Sequence, residues 1–249
     1  MRFEDRVTLV TGARTGVGAA TAARLVAEGG AVTLVGHDHP DLHAAASRLS
    51  AQGPGQAMAA PADVAREGEV DAAIEATVAA FGRLDGVVTS AAVFEAADAV
   101  PVEELQFAEW LHVIEVNLGG TYLTVKHALP HMEADGGSIV LLASIAALTG
   151  VGGHAAYTMS KGGIVALTRL IAAEYAPQVR ANCICPGGID TPMTRALRPD
   201  AKGPMPSDSP LQRVAEAEEI ASTVAFALSD DASYMTGATL VVDGGSTIH

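Results

Sequence analysis

Residues Arg6 to Thr11 (RVTLVT) form a short β-branched apolar run that passes directly into Gly12-Ala-Arg-Thr-Gly16-Val-Gly18. The next twelve residues, AATAARLVAEGG, place apolar side chains at helical spacing and end in glycines, where a helix stops. A strand, a glycine turn and a helix in that order are the context a phosphate-binding loop requires. Gly12 makes the tight turn, Gly16 and Gly18 let backbone and helix approach a pyrophosphate, and the helix N-terminus presents oriented N–H groups to the anion. An ordinary glycine-rich turn has the same composition, so the rest of the chain must decide.

The pattern continues as alternating strands and helices. AVTLVG (Ala31–Gly36) is a second strand, followed by a helix through about Ser50. Gly53–Val64 holds a third strand ending at Asp63-Val64, with a helix from about Glu67 to Phe81. Leu84–Val93 (LDGVVTSAAV) is a fourth, and a helical region spans Glu103–Met132. There Asn117 stands beside two glycines that loosen the helix, though an amide among apolar neighbours is also a common core group. GGSIVLLASIA is a fifth strand delivering Ser144, QVRANCICPGGIDTP a sixth, and ATLVVDGG a last strand, central or at an edge. Helices are expected over Ala155–Ala176 and Glu216–Ser229. From Thr191 to about Pro210 the periodicity dissolves into a proline-rich stretch, which reads as a substrate loop.

Strand–helix pairs of about 30 residues predict an α/β fold, a Rossmann-type doubly wound, seven-stranded parallel sheet with helices on both faces in three layers. One domain over 1–249 is the simplest organisation. Ligands in such sheets bind beyond the C-terminal strand ends, where Gly12, Gly36, Asp63, Ala91, Ser144 and Pro186 all fall.

A formal charge of −14 argues against nucleic acid and anionic membranes as partners. No apolar run approaches the ~20 residues of a membrane helix, and the N-terminal MRFEDRVTLVTG is unlike a signal peptide, so a cytoplasmic protein is expected. Cys183 and Cys185 read as buried strand residues, and no metal is expected.

Tyr157 and Lys161 are four residues apart on a predicted helix and therefore share a face. A cation beside a phenol favours the phenolate, which brings it nearer to acid/base work at neutral pH. The same spacing occurs by chance on many surface helices. At the end of the second strand the signals are mixed: Gly36 supplies no carboxylate for a ribose, His37 and Arg14 can face a 2′-phosphate, and Asp38 is close by.

Together these residues resemble the short-chain dehydrogenase/reductase family over the whole length of the chain. Thr11-Gly12-x-x-x-Gly16-x-Gly18 is similar to the family's cofactor turn, and Asp63-Val64 to its adenine-contacting pair. Asn117, Ser144, Tyr157 and Lys161 are similar to its catalytic tetrad in order and spacing. Pro186-Gly187 and Thr191 are similar to the turn holding the nicotinamide, and Asp243-Gly244-Gly245 to its C-terminal signature.

The resemblance implies an NAD(P)-dependent oxidoreductase interconverting a secondary alcohol and a ketone, or a 3-oxoacyl-type carbonyl. Tyr157 is its implied general acid/base. Lys161 lowers the tyrosine pKa and binds the nicotinamide ribose, Ser144 holds the substrate oxygen, and Asn117 places a relay water. The alternative is a catalytically silent cofactor-binding regulator or scaffold of the same fold. The implied cofactor-binding set adds Arg14, Thr15, Val17, His37, Ser90, Ala91 and Ile189, and includes Tyr157 beside Lys161. Phe94, His154, Gly188, Met193 and Leu197 are the expected substrate-pocket residues.

Two departures stand out. Thr89-Ser90-Ala91-Ala92 replaces the usual Asn-Asn-Ala-Gly, with altered cofactor affinity or local rigidity as the expected consequence. Gly36 stands where NAD-preferring members carry Asp, which tips the cofactor expectation to NADP(H) over NAD(H). The expected assembly is a homotetramer or homodimer, with a small-molecule alcohol or ketone as the only other partner.

Overall fold

The computed structural model describes residues 1–37, 39–95, 98–132, 136–150, 154–196 and 209–248. Its frame is one sheet of seven parallel strands in the order β3-β2-β1-β4-β5-β6-β7. The strands are β1 (Val7–Thr11), β2 (Ala31–Gly36), β3 (Gln56–Pro61), β4 (Gly86–Thr89), β5 (Gly137–Leu142), β6 (Val179–Pro186) and β7 (Thr239–Val242). The last strand lies at the edge, paired only with β6. The helices are α1 (Gly16–Ala27), α2 (Pro40–Gln52), α3 (Glu67–Phe81), α4 (Phe107–Ile114), α5 (Gly120–Ala128), α6 (Ala155–Tyr175), α7 (Pro192–Ala196) and α8 (Ala217–Leu228).

Successive strand residues point to opposite faces, and this divides the core in two. Leu9, Ile139 and Leu141 pack with Ile74 of α3, Val125 of α5 and Ile164 of α6. Val10, Val140 and Leu142 pack on the other face with Leu25 of α1, Leu42 of α2 and Val224 of α8. The result is the predicted three-layer, doubly wound sheet. Its strands, covered on both sides, carry the continuous apolar runs that buried parallel strands need.

Several boundaries differ from the sequence expectation. β4 is only Gly86–Thr89, because the apolar residues beyond it leave the sheet and line a cavity. β3 ends at Pro61, two residues before Asp63. The helix expected from Glu103 begins at Phe107, and a π turn over Glu115–Gly119 separates α4 from α5. The glycines beside Asn117 do not simply loosen the chain: a Cβ on Gly120 would sit 2.6 Å from Val64 Cγ2, so glycine there permits close packing.

The stretch from Thr191, expected to be irregular, opens with the short helix α7. Proline occupies its first position, a favourable helix start, and the Thr191 hydroxyl accepts the Thr194 N–H at 3.3 Å. Residues 197–208 of the expected substrate loop, Leu197 included, lie outside the described residues.

Candidate active site

The sheet order reverses between β1 and β4, which opens a crevice above their C-terminal ends. Thr11 closes its floor: its Oγ1 accepts the N–H groups of Ser90 at 3.1 Å and Ala91 at 3.2 Å. Gly12 above it has φ +66°, and a Cβ there would lie 2.7 Å from the Ala91 nitrogen. Only glycine satisfies both constraints. Although Thr89-Ser90-Ala91-Ala92 lacks the usual asparagines, its backbone is thus anchored by a residue of the neighbouring strand.

A cavity of about 490 Å³ extends from this crevice across the strand ends. One end is lined by Gly12, Arg14, Thr15, Gly16 and Val17, with His37 and Val64 alongside. Ser90, Ala91, Pro186, Gly187, Ile189 and Thr191 line its middle. Ser144, Tyr157 and Lys161 meet at the other end, beside Phe94, His154, Gly188 and Met193. Three predicted residues fall outside the lining. Gly18 is buried in the first turn of α1. Asp63 turns to cap the approach to α3, accepting the Ala65 N–H at 3.0 Å, with its carboxylate 3.9 Å from His37 Nε2. Asn117 is buried behind the wall.

The Asn117 side chain grips Val93, accepting its N–H at 2.7 Å and donating to its carbonyl at 2.9 Å. It also donates to Ser160 Oγ at 3.3 Å. A π turn, with its extra residue per turn, is a common way to aim one side chain at a functional site.

Lys161 is 3% exposed. Its Nζ donates to the Leu142 carbonyl at 3.0 Å and lies 5.5 Å from the centre of the Tyr157 ring. Burial lowers its pKa from 10.5 to about 8, with the neighbouring thiols of Cys183 and Cys185 opposing the shift. Burial also pushes the Tyr157 phenol above its ordinary value of 10.0, while a hydrogen bond with the Ser144 hydroxyl pulls it back and Cys185 adds to the rise.

This corrects one expectation. The shared helix face does bring the Lys161 ammonium to within 5.5 Å of the Tyr157 ring centre, but in the protein alone the phenol rises, because burial is the largest influence on it and only the Ser144 hydrogen bond opposes the rise. Both cysteines are free and buried, their sulfurs 4.0 Å apart on β6, as expected for small strand residues.

The sequence reading missed Asp98. Its carboxylate is buried and accepts the N–H groups of Ala156 and Tyr157 at 3.0 and 2.9 Å. Phe94 was named only as a pocket residue, yet its ring packs on both Tyr157 and His154, with centroids 4.4 and 4.6 Å away.

A dinucleotide fits this cavity. α1 begins at its wall with no side-chain cap at Thr15 and no acidic residue in its first turn, leaving N–H groups for a phosphate. A family model described as enoyl-(acyl carrier protein) reductase matches residues 12–247. The cis-4-hydroxycyclohexanecarboxylate dehydrogenase of Sinomonas cyclohexanicum is 41% identical over 247 residues, covering 98% of both chains.

The chain belongs to the short-chain dehydrogenase/reductase family.

Other members are nearly as similar. The levodione reductase of Leifsonia aquatica is 37% identical over 257 residues, covering 99% of this chain and 96% of its own length. A crystal structure of levodione reductase superposes with a TM-score of 0.91 at 36% identity, covering 99% of each chain. As a short-chain dehydrogenase/reductase, this protein is an oxidoreductase acting on CH–OH groups with a nicotinamide cofactor, and it interconverts alcohols and ketones. Among the described residues no helix is long and apolar enough to cross a membrane, and no cluster of three metal-ligating side chains occurs.

Proposed function

We propose that the substrate is a compact secondary alcohol or ketone carried on a small ring, and that Tyr157 is its general acid/base. The convergence of Ser144, Tyr157 and buried Lys161 on one end of the cavity carries this reading. The bound cofactor supplies the hydride acceptor or donor. The protein's own groups manage the oxygen. Ser144 holds it, and Tyr157 removes its proton during oxidation or returns it during reduction. Lys161 provides a nearby positive charge that stabilises the phenolate as it forms. Asn117 fixes the Val93 wall, and the relay water implied for it remains part of this proposal.

The ring preference is supported by the wall formed from Val93, Phe94 and Met193, which is apolar apart from His154, and by the relative named for cis-4-hydroxycyclohexanecarboxylate. A 3-oxoacyl substrate is the wider alternative. The catalytically silent regulator finds no support, since all four tetrad residues are present.

For the cofactor we infer NADP(H) over NAD(H). Arg14 and His37 line the cavity where β2 ends in Gly36, which has no carboxylate to repel a 2′-phosphate. Asp38 lies outside the described residues. For the assembly we infer a homotetramer or homodimer. Phe107 of α4, Tyr122 of α5 and Leu170 of α6 carry exposed apolar side chains, as do Phe226, Tyr234 and Val241 around α8 and β7. Large exposed apolar groups of this kind mark subunit contacts.

Oxidation of cyclohexanol, 4-hydroxycyclohexanecarboxylate and 2,3-butanediol, each with NAD and NADP separately, tests the reading. The expected result is fastest turnover of a ring alcohol with NADP. Turnover with NAD alone assigns the ribose contact to Asp38 or Asp63 instead, and faster turnover of open-chain 2,3-butanediol than of either ring alcohol overturns the ring assignment.

A further inference from the structure

Asp98 belongs to the segment that follows β4, 58 residues before Ala156, yet it takes the place of a cap on α6. His154, at the N-cap position, makes no side-chain cap hydrogen bond, and the first turn of α6 contains no acidic residue. The N–H groups of the second and third helical residues are the ones a capping side chain normally accepts. Here these belong to Ala156 and Tyr157, and each bonds to a different oxygen of Asp98. A buried carboxylate is costly unless it is well partnered. Two backbone donors at the positive end of a 21-residue helix provide that partnership.

Tyr157 is therefore held twice by the same short segment. Asp98 fixes its backbone, and Phe94, four residues earlier, packs against its ring. Asn117 in turn anchors Val93 at the start of the segment. The direction of the phenol toward Ser144 depends on this wall as much as on α6.

We propose that Asp98 is a positioning residue for proton transfer, holding the first turn of α6 so that the Tyr157 phenol meets the substrate oxygen. This rests on the reading of Tyr157 as the acid/base. Loss of the cap frees the turn on which Tyr157 stands, and misplacement of a reacting group by about 1 Å costs about 10²-fold in rate. The cofactor end of the cavity, around Gly12 to Val17, lies on other elements and is unaffected.

The test compares Asp98→Ala, Asp98→Asn and Tyr157→Phe. Turnover of the best alcohol from the ring panel is measured, together with the dissociation constant of the reduced cofactor and amide hydrogen exchange across 154–161. For Asp98→Ala the expected results are a kcat about 10²-fold lower, cofactor affinity within about twofold and faster exchange at the start of α6. Asp98→Asn, which keeps one acceptor oxygen, recovers much of the rate.

If Asp98→Ala does not fold, Asp98→Asn is read against the native protein. Faster exchange across 154–161 with unchanged cofactor affinity and a kcat well above that of Tyr157→Phe supports the role, and native exchange across 154–161 overturns it. Native kcat in Asp98→Ala, or equal losses of kcat and cofactor affinity without recovery in Asp98→Asn, also overturns it. An active Tyr157→Phe would instead remove the reading on which the role depends, and so separates the two failures.

Discussion

Asn117 holds Val93 by both of its backbone polar groups, with bonds of 2.7 Å to its N–H and 2.9 Å to its carbonyl. The two residues lie 24 positions apart, yet the contact has the geometry of a strand pairing made by one side chain. It fixes the wall of the substrate end without a further strand.

Asn117→Ala leaves the Val93 N–H and carbonyl without their partner in a part-buried setting. Each such loss costs about 1–3 kcal/mol when fully buried, and water reaches these two groups in part, so a fall in unfolding free energy of roughly 2–4 kcal/mol is expected by urea titration. Turnover should fall as the wall beside Tyr157 loosens. A variant of native stability would show that Val93 finds other partners.

Burial at Lys161 gives a signed prediction for stability against pH. Its pKa is about 8 when folded, against 10.5 for a free lysine side chain. Below pH 8 both states carry the charge, and the folded state bears the cost of burying it. Between about 8 and 10.5 the unfolded chain binds more protons, so this residue makes stability rise with pH. Lys161→Met removes the buried charge, worth about 3 kcal/mol, but also the bond to the Leu142 carbonyl, worth about 1 kcal/mol, and should be more stable than the native protein at pH 7 by roughly 2 kcal/mol. The difference should shrink as pH approaches 10.5. A constant difference across that range, read from urea titrations at pH 7 and 10, would contradict it. Turnover by the variant is expected to be lost despite the added stability.

Much of this site was legible from residue order because its parts are local patterns. The glycine turn, the Tyr157–Lys161 spacing and the strand-borne Ser144 each occupy one short stretch, and parallel topology brings strand ends together whatever the connecting helices contain. Asp98 was illegible for the opposite reason. Its partners are two backbone N–H groups far along the chain, and a backbone donor leaves no trace in residue identity. The direction of the Tyr157 shift was equally hidden. Sequence spacing places a cation beside the phenol, but how far water is excluded from both groups depends on Leu142, Cys185 and the cavity wall. α7 was missed because its five residues are too few to show a period.

Ser144 has two hydrogen-bonding tasks: its hydroxyl meets the Tyr157 phenol and also accepts the Ala146 N–H at 3.2 Å. Ser144→Ala should therefore lower kcat by about 10²-fold, the range for one oriented donor in a water-poor site. The lost cap should reduce stability by only about 1 kcal/mol. Because the Ser144 bond opposes the rise in the phenol's pKa, residual activity in alcohol oxidation should also require a higher pH than the native enzyme. A pH–rate profile with the native inflection would contradict the proposed bond.

The central claim is that the Tyr157 hydroxyl moves the substrate proton. Tyr157→Phe removes that oxygen and leaves the ring against Phe94 and the helix cap at Asp98 in place. Turnover and cofactor binding by this variant, measured side by side, test the claim most directly. The account predicts a kcat at least ~10³-fold lower, within the range for loss of a general acid/base, and a cofactor dissociation constant within about twofold of native. Turnover within tenfold of the native rate would contradict it.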